Sequence, residues 1–155
     1  MKIADVVENF NLLDQNRQEF ELYKNLDKDV LLVFYPKDNT PVCTKQLVDY
    51  SLNQEELNKL GIKIVGVNVD PVESHNKFCQ NNKIDFPLLS DSEKYVSKYY
   101  SALNLIGQNK RKLVLVGKDK RVKYIRTTLP IFFVDSRQLL IELKETQPKI
   151  KDLTL

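Results

Sequence analysis

The stretch VLLVFYPKDNTPVCTKQ, Val30 to Gln46, decides how this chain is read. Val30 to Tyr35 is a continuous apolar run, the signature of a strand buried on both faces. Pro36 ends that strand, because proline cannot donate to a sheet ladder, and it stiffens the turn that follows. Thr40 is a good N-cap residue, and Pro41 behind it suits the first helical position, which has no use for an N–H. A helix starting there puts Cys43 in its first turn, where backbone N–H groups lack intrahelical partners and the dipole is positive. Both effects favour thiolate over thiol. A thiol of pKa about 8.5 is roughly 3% ionised at pH 7, whereas one of pKa about 6 is roughly 90% ionised. Part of that gain is returned, since a less basic thiolate is a weaker nucleophile. Position and capping alone leave two readings open: a reactive thiol, or a small buried residue beside a helix cap.

Working outward, ENFNLLDQNRQEFELY reads as two short alternating segments around Asp14 to Arg17, which predicts an N-terminal hairpin. After the turn, Leu47, Val48, Tyr50, Leu52, Leu57 and Leu60 recur at roughly helical spacing until Gly61 stops the helix. Ile62 to Val69 reads as the next strand, Pro71 to Asn82 as a helix and Phe86 to Asp91 as a short strand. EKYVSKYYSAL reads as helical, KLVLVGKDKRVKYIRT as two strands around Gly117 to Lys120, and SRQLLIELKET as a closing helix. Early strand–helix alternation with a late hairpin argues for an α/β fold: a mixed central sheet flanked by helices, thioredoxin-like, with an N-terminal β-hairpin extension. Periodicity alone does not separate it from a flavodoxin-like sheet. Only four glycines occur, and none forms a phosphate loop after Tyr35, which weighs against nucleotide binding.

A length of 155 residues predicts a single domain over residues 1–155, and 42% hydrophobic with 29% charged residues is ordinary for a globular protein. A net charge of +3 is too small to argue for nucleic acid, and the short NKRK run at Asn109 to Lys112 reads as a solvated loop. No segment approaches the ~20 apolar residues of a membrane span. Asp5 and Glu8 stand where a signal peptide needs its apolar core, so the expected location is cytoplasmic. In a reducing compartment two cysteines suggest transient or catalytic use rather than a permanent bridge. Two cysteines and one histidine are also too few for the usual four ligands of structural zinc, and no metal is expected.

FYPKDNTPVCTKQ closely resembles the active-site segment of the peroxiredoxins, in particular the peroxiredoxin Q or bacterioferritin-comigratory-protein branch. The family pattern Pro-x-x-x-Thr-x-x-Cys is matched by Pro36, Thr40 and Cys43. The likeness continues through VDPVESHNKFCQNNKIDFPLLSD, Val69 to Asp91, and spans Asp5 to Lys123. It implies a thioredoxin fold and a thiol peroxidase acting on hydrogen peroxide and small organic hydroperoxides, with no metal, haem or flavin cofactor. Cys43 would be the peroxidatic cysteine, Thr40 would orient the peroxide, and Pro36 would shield the site from bulk water. The family also supplies an arginine from a late strand; RKLVLVG aligns with that segment, making Arg111 the candidate, with Arg121 and Arg126 as fallbacks. A permanently charged guanidinium suits both the thiolate and the charge developing on oxygen.

Two departures stand out. Lys112-Leu113-Val114 replaces the usual Ser-Thr-Phe, and Gln46 stands where the branch commonly has glutamate, which removes a charge but leaves a hydrogen-bonding group. Some members resolve the sulfenic acid with a cysteine five residues after the first; here that position is Val48. Others place it in the next helix, where Cys79 stands, so the resemblance implies Cys79 as the resolving cysteine and a disulfide recycled by thioredoxin or a similar thiol reductant. Free cysteines are often simply buried, so a packing role for Cys79 competes. Two helix-borne cysteines must bring their Cα atoms within about 7 Å to bond, which predicts local unwinding during turnover. His75 reads as a helix-surface or capping residue rather than a base. Tyr99-Tyr100 and Phe132-Phe133 read as core or interface aromatics. Gln46, three residues after Cys43, rules out a Cys-x-x-Cys oxidoreductase motif; a thioredoxin-fold redox sensor or binding module without turnover is the alternative. Relatives of this kind are often monomers, and the C-terminal PIFFVDSRQLLIELKE is open between covering the core and forming a contact surface.

Overall fold

The computed structural model describes residues 1–147; residues 148–155 of the expected single-domain span lie outside the described residues. The strand predicted over Val30 to Tyr35 is β3 (Asp29–Phe34), buried at every position. It pairs in parallel with β4 (Ile62–Asn68) and antiparallel with β6 (Arg111–Val116). Around this centre the sheet runs β2-β1-β5-β4-β3-β6-β7. The hairpin of β1 (Asn11–Leu13) and β2 (Glu19–Glu21) forms one edge, β5 (Leu88–Ser90) joins it to β4, and β7 (Val122–Thr128) forms the other edge. The sheet is therefore mixed, and its order and helices match the thioredoxin-like fold expected from the sequence.

Side chains alternate across a strand, so β3 feeds two cores. Val30, Leu32 and Phe34 pack with Leu12 and Phe20 of the hairpin and with Tyr100. Leu31, Val33 and Tyr35 pack with Cys43, Leu47 and Tyr50 of α1 (Pro41–Leu52) and Phe78 of α3 (Val72–Asn82). Leu139 and Leu143 of α5 (Ser136–Lys144) close the second core, so the C-terminal segment covers it, while Ile131 and Phe132 ahead of the helix stay exposed. Each fully buried aliphatic or aromatic side chain contributes roughly 1.5–3 kcal/mol, so both cores hold the carboxyl ends of β3 and β4 firmly.

The single helix expected from Leu47 to Leu60 is two. Asn53 separates α1 from α2 (Gln54–Lys59): its side chain donates to Asp49 O, and its N–H to Tyr50 O. Leu52, part of the predicted apolar stripe, is 80% exposed at this break. Gly61 ends α2 as expected, with φ +74, a left-handed conformation that glycine adopts without steric cost. The EKYVSKYYSAL helix shortens to α4 (Tyr95–Tyr99), bounded by Lys94 and Ser101 at positive φ. Of the paired aromatics, Tyr100 is core, whereas Tyr99 and Phe132 are exposed.

Candidate active site

Strand β3 delivers the chain to the sheet's carboxyl edge, where open α/β folds place their sites. The turn then reverses through Asn39, whose φ of +62 lies in the left-handed region that asparagine tolerates. Thr40 takes the N-cap position in extended conformation and Pro41 the first helical position, as the sequence predicts. The Thr40 side chain does not cap, however: its hydroxyl donates to Lys37 O at 3.0 Å. The first helical bond is Thr44 N to Thr40 O at 2.9 Å. Cys43 therefore sits in the first turn, among N–H groups that precede any intrahelical acceptor. It is 1% exposed.

Across the sheet, β6 brings Arg111 to the sulfur. Arg111 Nη2 donates to Cys43 Sγ at 3.3 Å, and Nη1 donates to Gln46 Oε1 at 2.6 Å. Nε and Nη2 also donate to Pro130 O, at 3.2 and 2.8 Å. Gln46 is one helical turn from Cys43; its amide nitrogen donates to Tyr50 Oη at 3.3 Å, and Tyr50 Oη donates to Val134 O at 2.5 Å. Burial pushes the Tyr50 phenol far above its ordinary value, so it remains a donor. Among the described residues no carboxylate forms an ion pair with Arg111. With neutral Gln46 in place of an acid, the guanidinium charge is left facing the sulfur.

The NKRK run is not the solvated loop expected of it: Asn109, Arg111 and Lys112 are buried. Arg111 and Lys112, successive in β6, point to opposite faces, and Lys112 Nζ donates to Tyr100 O at 2.8 Å in the other core. The fallback arginines lie elsewhere, Arg121 donating to Ala4 O and Arg126 standing 3.9 Å from Glu142. Pro36, ahead of the turn, is half-buried.

Cys79 lies in the last turn of α3 and packs against the same core as Cys43; both thiols are free. Its surroundings are the opposite of those at Cys43. Burial first, then the negative charges of Asp38 and Asp14, push its thiol up to about 12. One side of it opens on a groove of ≈ 420 Å³ lined also by Asp14, Gln15, Asn76, Ile84 and Phe86.

His75 corrects the sequence reading most clearly. It is neither a helix-surface nor a capping residue but fully buried. Its Nδ1 lies 2.7 Å from Asp38 Oδ2 and its Nε2 3.1 Å from Leu89 O. Asp38, inside the turn between Pro36 and Thr40, also accepts from Tyr35 Oη at 2.6 Å, Ser74 Oγ at 2.7 Å and Asn68 Nδ2 at 3.3 Å. Burial by itself would raise the Asp38 carboxyl, but the hydrogen bond and charge of His75, with the Tyr35 and Ser74 donors, hold it below the usual carboxylate range.

Comparison with known proteins identifies the family and the fold. The AhpC/TSA family model matches residues 3–125. A putative peroxiredoxin bcp of Helicobacter pylori strain J99 is 34% identical over 131 residues, covering 84% of this chain and 81% of the relative. A chloroplastic peroxiredoxin Q of Triticum aestivum is 39% identical over 95 residues, 61% of this chain and 44% of that protein. Among solved structures, the peroxidoxin BcpB of Mycobacterium tuberculosis superposes with a TM-score of 0.85 at 28% identity, covering 96% of this chain and 99% of the other. The chain belongs to the AhpC/TSA family, within the peroxiredoxin branch of the Bcp and Q proteins, and its class of activity is thiol-dependent peroxide reduction. Among the described residues no helix is long and apolar enough to cross a membrane.

Proposed function

We propose that Cys43 is the peroxidatic cysteine of a thiol peroxidase that reduces hydrogen peroxide and small organic hydroperoxides, and that Cys79 resolves it. The observation that carries this reading is the 3.3 Å contact from Arg111 Nη2 to Cys43 Sγ in the first turn of α1. A charged, preorganised donor stabilises negative charge both on the attacking sulfur and on the oxygen that leaves, and removing one such donor typically costs about 2.7–4 kcal/mol of barrier. Thr40 Oγ1, its own proton committed to Lys37 O, offers lone pairs to a peroxide O–H. Pro36, fixed in φ and unable to donate, is a rigid, dry wall for the turn.

In the first step the Cys43 thiolate attacks the terminal oxygen of ROOH. An S–O bond forms, the O–O bond breaks, and the alkoxide leaves and takes up a proton as ROH. In the second, the Cys79 sulfur attacks the sulfenic acid: the S–S bond forms, the S–O bond breaks, and the hydroxyl departs as water with the Cys79 proton. A dithiol protein of the thioredoxin kind then returns both cysteines to thiols. A reducing compartment such as the cytoplasm keeps that supply of electrons available. The chain is read as a monomer with a dimer as the alternative; both cysteines, Arg111 and Thr40 come from one chain in either case.

Intact mass of the reduced protein after one equivalent of hydrogen peroxide, before and after alkylation, tests this. Loss of two hydrogens with both thiols blocked is the expected result. Addition of one or two oxygens with Cys79 still alkylatable would remove Cys79 from the cycle and leave a one-cysteine peroxidase. An unchanged mass would overturn peroxidase chemistry at Cys43. Steady-state peroxide consumption with a thioredoxin system distinguishes turnover from a sensor that reacts once.

A further inference from the structure

Asp38 and His75 are buried and unused by the steps above. Their location is informative. Asp38 belongs to the turn that positions Thr40 and Cys43, and His75 sits on α3 four residues before Cys79, on the same side of that helix. Both His75 nitrogens lie within hydrogen-bond distance of oxygen partners, a carboxylate oxygen and a backbone carbonyl, so the ring is held from both sides. Asp38 receives Tyr35, Ser74 and Asn68 as well, which fixes it as the carboxylate. Asp38 N donates in turn to Asp70 Oδ2 at 2.8 Å. One buried 2.7 Å contact thus ties the Cys43 turn to the Cys79 helix.

We propose that the Asp38–His75 pair is a positioning latch: closed, it holds the Cys43 turn against α3 in the form that meets peroxide, and its separation is the event that lets Cys79 reach the oxidised Cys43. This rests on the reading that the two cysteines bond. The same carboxylate plays on both cysteines. While the latch is closed, Asp38 anchors the turn and its charge disfavours an anion at Cys79; when the turn moves away, that charge leaves with it. The order of the two chemical steps is thereby built into the fold, with peroxide reduction in the closed form and resolution in the open one.

His75 is the only histidine in the sequence, so a chain prepared without a histidine tag gives the two ring-nitrogen resonances of one imidazole in a nitrogen-15 spectrum. In the reduced protein both resonances are expected at the shifts of hydrogen-bonded ring nitrogens, protected from solvent. After one equivalent of hydrogen peroxide, with intact mass showing loss of two hydrogens, both resonances should disappear or shift in proportion to the disulfide. Both resonances persisting unchanged in fully disulfide-bonded protein would overturn the latch while leaving the two-cysteine cycle intact. Oxygen addition without a disulfide would overturn the two-cysteine reading itself, and mass alone identifies that case. Rapid-quench kinetics give the second test. His75→Asn, which keeps a donor toward Asp38 but loses the ring's bridge to Leu89 O, should speed disulfide formation relative to sulfenic acid formation by at least about tenfold, since a buried hydrogen-bonded contact broken on one side favours opening. An unchanged ratio of the two rates in folded variant would also overturn the proposal, and the wild-type spectrum decides the matter if that variant does not fold.

Discussion

The two cysteines of this chain occupy electrostatic environments of opposite sign. Cys43 lies in the first turn of α1, where the dipole is positive, and receives a hydrogen bond from the Arg111 guanidinium. Cys79 lies in the last turn of α3, where the dipole is negative, and Asp14 and Asp38 add to burial in keeping it a thiol. Both pack against one core, so hydrophobicity does not distinguish them. Under the proposed cycle, the difference assigns an order to two chemically identical groups: one is prepared to react, and the other waits for a conformational step.

The contrast can be broken from the Cys43 side. Cys43→Ser should abolish peroxide consumption, read as loss of the steady-state rate, whereas Cys79→Ser should keep the first oxidation and lose only the disulfide. Arg111→Gln should lower the second-order rate constant with peroxide by ~10²–10³-fold, the usual cost of one preorganised charged donor, while Arg121→Gln should change it less than ~2-fold. Equal effects of the two arginine substitutions in stopped-flow measurements would remove Arg111 from the site.

From the Cys79 side, Asp14→Asn removes one of the two negative charges and keeps an acceptor for Asn16 N and Gln18 N. It should raise the alkylation rate of Cys79 near pH 9 by a few-fold, roughly 3–10-fold for half to one pKa unit. No change would leave burial and Asp38 as the causes of the raised thiol. Tyr50→Phe is a smaller test of the scaffold under Arg111: it removes the donor to Val134 O and the acceptor of Gln46, at about 1–3 kcal/mol for the buried groups left unpaired. The expected fall in Tm is a few degrees, roughly 2–4 °C per kcal/mol at this chain length.

The acid limb gives the last and smallest effect. Asp38 is held below the usual carboxylate range, so its contribution to stability is present above its unfolded value of about 3.9 and is lost as pH falls through the lower folded value. The groups facing it are His75, Ser74, Tyr35, Asn68 and, through its N–H, Asp70, with the Cys79 thiol also within its field. Thermal melts below about pH 4 should therefore steepen with acid in the wild type and flatten in Asp38→Asn. A parallel slope in both would show that other carboxylates govern acid unfolding.

What could be read in advance was whatever is written locally. The apolar run of β3, the Thr40-Pro41 helix start and the Gly61 stop each carry their own signal, and each appears in the structure. The helix break at Asn53 was hidden because Leu52 continues the apolar spacing although it points to solvent. Arg111 stood in a charged run that looks solvated; the place of β6 in the sheet, with Gln46 of α1 and Pro130 against the guanidinium, buries it. His75 was invisible for a related reason. Its acceptors are a turn carboxylate and the backbone carbonyl of Leu89, and a carbonyl has no letter in the sequence. The same holds for Pro130 O, which steadies Arg111 from a loop that shows no motif.

The adjacent cations of β6 carry a consequence for evolution by insertion and deletion. Phe34 pairs with Lys112, and the alternation of the strand sends Arg111 to the sulfur and Lys112 to the opposite core. A shift of β6 by one residue would exchange them, since a single-residue slip flips every side chain to the other face. The loop before it exposes Leu105 and Ile106, so their identities are free to drift. Its length is not: an insertion there must be absorbed within the loop, and one that propagates into β6 would offer the sulfur a lysine in place of its two-pronged guanidinium.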